Sequence, residues 1–195
     1  MDFKKILPWI IAIGLILIIA FWVIGIKNSA LKYNQAVGKT WGDVEVAYQR
    51  RNDLIDNLVE TVKGSAAFEK GTLVAVTEAR ANATSIKIDP TKVTPEQLEQ
   101  YNKVQGGLGA ALKSLIATVE NYPQLKSTDA FLKLQDELPS TENQILTART
   151  RFNDAVEIYN GYILSVPNNW FLSNYKEKPY FKSVEGANKA VKIKF

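Results

Sequence analysis

The stretch ILPWIIAIGLILIIAFWVIGI, Ile6 to Ile26, holds 21 consecutive residues without a charged side chain. At about 1.5 Å of rise per residue, a helix of that length spans roughly 30 Å, the hydrocarbon thickness of a bilayer. Lys4 and Lys5 precede the run and Lys27 follows it. Trp9 and Trp22 stand near its two ends, where indole rings favour the membrane–water boundary. Pro8 falls in the first turn of the run, where a helix tolerates proline. A soluble core helix this long would show a polar face, and this one has none. A cleaved secretory signal is the rival reading, with Lys4 and Lys5 as its basic start. Signal cores run only about 7–15 residues, however, and Asn28-Ser29-Ala30 matches a small-residue cleavage site poorly. Lys4 and Lys5 on one flank stand against Lys27, Lys32 and Lys39 on the other, so the charges assign no side of the membrane to the rest of the chain.

The remainder of the 195-residue chain is enough for one domain of ordinary size. Its 24 basic and 20 acidic residues give a net charge of +4, with no dense basic arm, so nucleic acid is not an expected partner. There is no cysteine and no histidine. That removes disulfides, thiol chemistry, Cys-ligated metals and lipid attachment at a thiol. It also removes the commonest metal ligand and the commonest general base. No catalytic residue, metal ligand, cofactor site or small-molecule substrate is expected.

Beyond the apolar run the pattern steps by three and four. Val37, Trp41, Val44, Tyr48, Ile55, Leu58 and Val62 form one stripe, with Arg51 filling its single gap. This predicts a heptad-like helix running straight out of the membrane segment. Gly64 and Gly71 bracket a break, and Leu73, Val76, Ala79 and Ala83 carry a second helix to about Ser85. Residues 86–94 connect to a third helix. Thr94 caps it, Pro95 takes its first position, and Gln97 completes a capping box. Tyr101, Val104, Leu108, Leu112, Leu115 and Val119 form its stripe. Gly106, Gly107 and Gly109 inside it are expected to mark close helix–helix approach, with a flexible or partner-contacting site as the alternative. After Pro123, Ser127 or Thr128 caps a fourth helix. Its stripe is Phe131, Leu134, Leu138, Ile145, Ala148, Phe152, Ala155, Tyr159, Tyr162 and Val166. Pro139 should kink or interrupt it, and Pro167 should end it. No segment alternates with period two, so no sheet is expected.

The fold class is therefore all-α. A single N-terminal transmembrane helix (residues 1–27) leads into an elongated antiparallel bundle of three to four helices (28–166). An irregular aromatic and basic tail (167–195) completes the chain. Trp170, Phe171, Tyr175, Tyr180 and Phe181 in that tail suit either a segment laid on the bundle or a surface for a membrane or a neighbouring subunit.

A set of polar residues falls on or beside the apolar stripes: Arg50, Arg51, Asp53, Asp56, Asn57 and Glu60 on the first helix, and Glu142, Asn143, Arg149, Asn153 and Asn160 on the fourth. A buried Arg must be paired, because an uncompensated buried charge is very costly. Three readings remain. The groups set register within one bundle, they pair between subunits, or carboxylates such as Asp53, Asp56, Glu60 and Glu142 form a catalytic or metal cluster. The familiar carboxylate metal site of helical bundles also uses histidine, which is absent.

Four blocks of this chain resemble the LemA family of bacterial membrane proteins. They are Tyr33-Asn34 followed by Trp41; RRNDLIDNLVETVKG, Arg50 to Gly64; FEKGTLVAVTEAR, Phe68 to Arg80; and Glu120 to Asn160, continuing to Pro167 and Tyr180-Phe181. The resemblance implies a helical bundle behind one N-terminal transmembrane helix, with no known catalytic residue and no cofactor. It also brings Arg80 among the seam candidates. Asp56 stands where the family often has Pro, and Phe68 where His is common. The expected protein is a non-enzymatic, single-pass scaffold of the bacterial cell membrane that self-associates. Its partners are the lipid bilayer and further copies of itself. An adaptor that docks a membrane-protein partner is the alternative.

Overall fold

The backbone between Phe3 and Lys63 forms one uninterrupted helix, α1. The computed structural model describes residues 3–64 and 69–182, with side chains from Ile6 onward. At about 1.5 Å per residue α1 is roughly 90 Å long. The apolar run and the heptad stripe are thus one rod, with no joint between Ile26 and Val37. Because α1 starts at Phe3, Pro8 lies more than one turn inside it rather than in its first turn. Most of the apolar run stands clear of the bundle, its large side chains from Ile6 to Ile24 exposed apart from a half-buried Val23, while its last turn meets the body through the Trp22–Phe171 ring contact and the buried Ile26. Its best window has a mean hydropathy of 2.9, which makes α1 long and apolar enough to cross a membrane.

Beyond α1 the described residues form α2 (Lys70–Ser85), α3 (Pro95–Val119), the single turn α4 (Pro123–Lys126), α5 (Asp129–Leu164) and a last turn, α6 (Asn168–Phe171). The break falls between Gly64 and Gly71 as expected, while Phe68 lies outside the described residues. Thr94 and Gln97 close the capping box: Gln97 N donates to Thr94 Oγ1 at 3.2 Å, and Thr94 N donates to Gln97 Oε1 at 3.0 Å. Thr128, rather than Ser127, caps α5 by accepting from Phe131 N at 3.3 Å. Pro139 does not interrupt α5. Buried Leu134, Leu138 and Thr141 on both sides of it hold the helix together through the missing hydrogen bond. The chain leaves α5 at Leu164, just before a cis Val166–Pro167 bond.

α1 and α5 run antiparallel along their length. Tyr162 Oη donates to the Ile26 carbonyl at 3.2 Å, Trp41 meets Phe152, and Arg51 reaches Glu142. α2 and α3 form a second antiparallel pair packed against α1. The stripes bury most of their predicted residues, though Leu73 and Ala79 on α2 are only half-covered and α3 and α5 depart at several positions. Val104 is half-exposed and Gln105 takes its place inside. Val156 and Ile163 are buried where Ala155 and Tyr162 are only half-covered, and Val166 is 68% exposed. A Cβ built on Gly106, Gly107 or Gly109 meets nothing within 4 Å. These glycines therefore do not mark a close helix approach.

The buried residues divide into two cores. One, beside the apolar run, is aromatic: Trp41, Tyr48, Tyr101, Phe152, Tyr159 and Phe181. The other, farther out, is mostly aliphatic: Ile55, Leu58, Val62, Leu108, Leu112 and Leu115, with Phe131.

Candidate functional site: a polar layer and a clasped tail

Arg51 lies between the two cores. It is 3% exposed, yet its sequence position on α1 sits in the apolar stripe. Its Nη2 donates to Gln105 Oε1 and, at 3.4 Å, to the Gln105 carbonyl; its Nη1 donates to Glu142 Oε1 at 3.3 Å. The guanidinium also stands 4.9 Å from the centroid of the Tyr48 ring. Gln105 passes the link onward, donating from Nε2 to the Ala83 carbonyl at 3.2 Å. One layer therefore joins α1, α2, α3 and α5. The Glu142 side chain is half in water, so the buried cation is neutralised from the rim while a neutral amide holds it inside. Burial raises the Tyr48 and Tyr101 phenols above their ordinary value; Arg149 and Arg51 partly oppose this at Tyr48.

The other seam candidates disperse. Arg80 pairs with Asp56 between α2 and α1. Asp53 accepts from Gln49 on its own helix at 2.7 Å, and Glu60 pairs with Lys63 at 2.9 Å. Asn57 is exposed, and Arg50 and Asn143 line an open groove between α1 and α5. Asp53, Asp56, Glu60 and Glu142 are thus engaged separately. Among the described residues no group of three or more carboxylates converges as a metal site would require.

Arg149, Asn153 and Asn160 serve a different structure, the returning tail. Asn160 Nδ2 donates to the Lys178 carbonyl at 2.9 Å, and its Oδ1 accepts from Lys178 N at 2.9 Å. Asn153 repeats this with residue 181: Nδ2 donates to the Phe181 carbonyl at 2.9 Å, and Oδ1 accepts from Phe181 N at 2.8 Å. The spacing explains the repeat. Seven residues of helix advance about 10.5 Å, and three of extended chain about 10 Å. Each asparagine amide thus mimics the paired N–H and C=O of a neighbouring strand. Arg149 closes the series, donating to the Lys182 carbonyl at 3.0 Å with its guanidinium 4.6 Å from the Phe181 ring centroid.

The clasp seals the aromatic core. Phe181 is 5% exposed and stacks on Trp41 with centroids 5.9 Å apart and planes 4° from parallel. Within the described part of the tail, residues 167–182, Phe181 is buried and Phe171 and Tyr175 are half-covered. Trp170 and Tyr180 stay exposed, and residues 183–195 lie outside the described residues. Lys178 ties the tail to the α2–α3 connection, donating from Nζ to the Pro90 carbonyl at 2.6 Å and the Thr91 carbonyl at 3.1 Å. Burial lowers its pKa, and nearby Asp89 opposes the shift. Asp89 shapes that loop by accepting from Thr91 N at 2.8 Å and Oγ1 at 2.6 Å, which holds its own carboxyl below the usual range.

Along the apolar run Trp9 and Trp22 are exposed, as is Lys27 after it; the side chains of Lys4 and Lys5 lie outside the described residues. Sequence reasoning missed Gln105 and Lys178. Gln105 was legible as a polar residue four positions after Tyr101, on an equally good helical step. Lys178 carried no signal, because its partners are backbone carbonyls.

A family model for the LemA family matches residues 40–195. The matched span begins after the apolar run. Magnetosome protein MamQ 2 of Paramagnetospirillum magneticum is 30% identical over 157 residues, covering 71% of this chain and 58% of that protein. Magnetosome protein MamQ of Magnetospirillum gryphiswaldense is 28% identical over 168 residues, covering 76% and 61%. Protein LemA of Metamycoplasma hominis is 25% identical over 162 residues, covering 83% and 68%. The chain spans about three fifths of the length of the MamQ relatives.

Proposed function

The chain belongs to the LemA family, and on that premise we propose that it is a non-enzymatic, single-pass scaffold of the bacterial membrane whose helical bodies associate with one another. The observation that carries this reading is the continuity of α1 from the apolar run into the bundle. A flexible linker would let the body tumble above the bilayer. One rod fixes the tilt and rotation of every copy relative to the membrane, which favours ordered lateral contact.

The groove between α1 and α5 suits such a contact. Copies anchored in one bilayer must relate by an axis along the membrane normal, so residues at equal height meet. Asp43 on α1 and Arg151 on α5 both line the groove, at similar heights in the antiparallel pair, with exposed Val46 beside them. A two-fold contact lets Asp43 of one copy face Arg151 of the other, twice. The seam carboxylates are separately engaged in hydrogen bonds and ion pairs rather than gathered in one place.

Lysine crosslinking and mass photometry of the detergent-solubilised, full-length protein test this. A defined oligomer that Val46→Arg weakens is the expected result. A strictly monomeric species at high concentration overturns it.

A further inference from the structure

Where α5 ends, three large apolar side chains point away from the bundle within a few residues. Leu164 is 51% exposed, Val166 68% and Trp170 70%. The same elbow is fixed from behind, because Leu172 is 2% exposed and belongs to the aromatic core. Its height along α1 is also fixed. Phe171 meets Trp22 edge-on with ring centroids 5.9 Å apart. Trp22 lies five residues before Lys27, about 7.5 Å down the rod into the apolar run. The elbow therefore stands beside the anchor, below its first charge.

Two further features fit an apolar medium there. Several polar groups of the elbow are paired locally, while the Asn169 side chain stays exposed: Asn168 Nδ2 donates to the Tyr162 carbonyl at 3.1 Å and to Ser165 Oγ at 3.0 Å. Ser165 N, Asn169 N and Trp170 N donate to the carbonyls of Gly161, Ser165 and Pro167. Backbone groups without such partners are costly in lipid. The charge around it is one-sided. No acidic residue occurs between Asp2 and Asp43 or between Glu157 and Glu177, while Lys27, Lys32 and Lys176 fall in those intervals. Lysines at that height complement anionic headgroups.

We propose that the elbow from Leu164 to Leu172 is a second membrane contact, with Val166 and Trp170 seated at the boundary between lipid headgroups and acyl chains. Amphipathic segments seat about 5–10 Å into that boundary, which is the depth set by the Trp22–Phe171 contact. The proposal rests on reading Ile6 to Ile26 as a membrane anchor. The body is then held at two points, so its tilt is set by lipid as well as by the rod.

The absence of cysteine makes the test direct. Trp170→Cys, Val166→Cys, Ile16→Cys and the distal, exposed Lys133→Cys are each labelled with an environment-sensitive fluorophore in the full-length protein. Each is reconstituted in phosphatidylcholine–phosphatidylglycerol vesicles carrying nitroxides at shallow or deep acyl positions. Labels at 170 and 166 should be quenched several-fold more than the label at 133, and more by shallow than by deep nitroxides. The label at 16 should show the opposite depth preference. Quenching at 170 and 166 no greater than at 133, with 16 still quenched, overturns the elbow contact and leaves the anchor standing. A blue-shifted but unquenched label at 170 means protein covers the elbow, and also overturns it. Loss of quenching at 16 overturns the anchor reading, and the elbow contact falls with it.

Discussion

The two cores on either side of Arg51 are built on different plans. The distal core packs aliphatic side chains from helices whose stripes face one another, and among the described residues it takes no wall from the tail. The proximal core packs aromatic rings and borrows its last wall, Phe181, from a tail clasped by two asparagines. A core of helix stripes is robust to the loss of any one contact. A core with a borrowed wall depends on the few bonds that hold the wall in register. The difference places the chain's most distinctive hydrogen bonding in the half nearest the apolar run.

Breaking the clasp should have the largest effect. Asn153→Ala with Asn160→Ala removes four side-chain-to-backbone bonds and strands buried N–H and C=O groups on the tail. The expected cost is about 3–5 kcal/mol, read by urea unfolding of the detergent-solubilised protein. Hydrogen exchange should rise around Trp41 and Phe181 while residues 108–119 keep their protection. Equal loss of protection in both cores would erase the distinction between them.

Removing the divider comes next. Arg51→Ala should cost about 3 kcal/mol, through lost packing of the side chain and an unpaired Gln105. In a double-mutant cycle Gln105→Ala should add clearly less than its own cost, since both changes disrupt one layer. Strict additivity would show the layer to be no unit at all.

Alkali should loosen the proximal half first. Burial raises the phenols of Tyr48, Tyr101 and Tyr159 above 10.0 in the folded state. The unfolded chain then releases those protons first, so their contribution is intact below about pH 10 and is lost as pH climbs through the folded values. Lys178 acts in the opposite sense, since its folded pKa is depressed below 10.5 and stability it adds grows up to that pH. Three groups against one predict a net fall in Tm between pH 9.5 and 11 (chosen to bracket about 10). A flat Tm would mean the lysine cancels the phenols.

The smallest effect is a gain. Gly106→Ala and Gly107→Ala meet open space, so each should stabilise α3 by about 0.5–1 kcal/mol through lower chain entropy. A loss in thermal unfolding instead would reveal a contact on that face, for example with a second copy.

The helices were legible because each repeats its apolar stripe over several turns, and because Thr94-Pro95-Glu96-Gln97 spells its own cap. The choice between Val104 and Gln105 was not. Both lie on allowed steps between Tyr101 and Leu108, and only the position of Arg51 on a neighbouring helix decides between them. Pro139 and the three glycines misled for a related reason: a local preference names a cost, while tertiary packing decides where the cost is tolerated. The clasp was half visible. Asn153 and Asn160 stand one heptad apart beside the stripe, but what they hold is backbone, and backbone leaves no mark in sequence.

Chain order gives the borrowed wall a temporal meaning. Trp41 emerges soon after the apolar run, whereas Phe181 is made about 140 residues later, roughly 7–28 s at ordinary rates of synthesis. During that interval the half of the body next to the apolar run lacks the ring that stacks on Trp41. The half of the body beside the apolar run is thus begun early and finished late, and a ribosome that stalls before the tail leaves its aromatic core without the Phe181 wall.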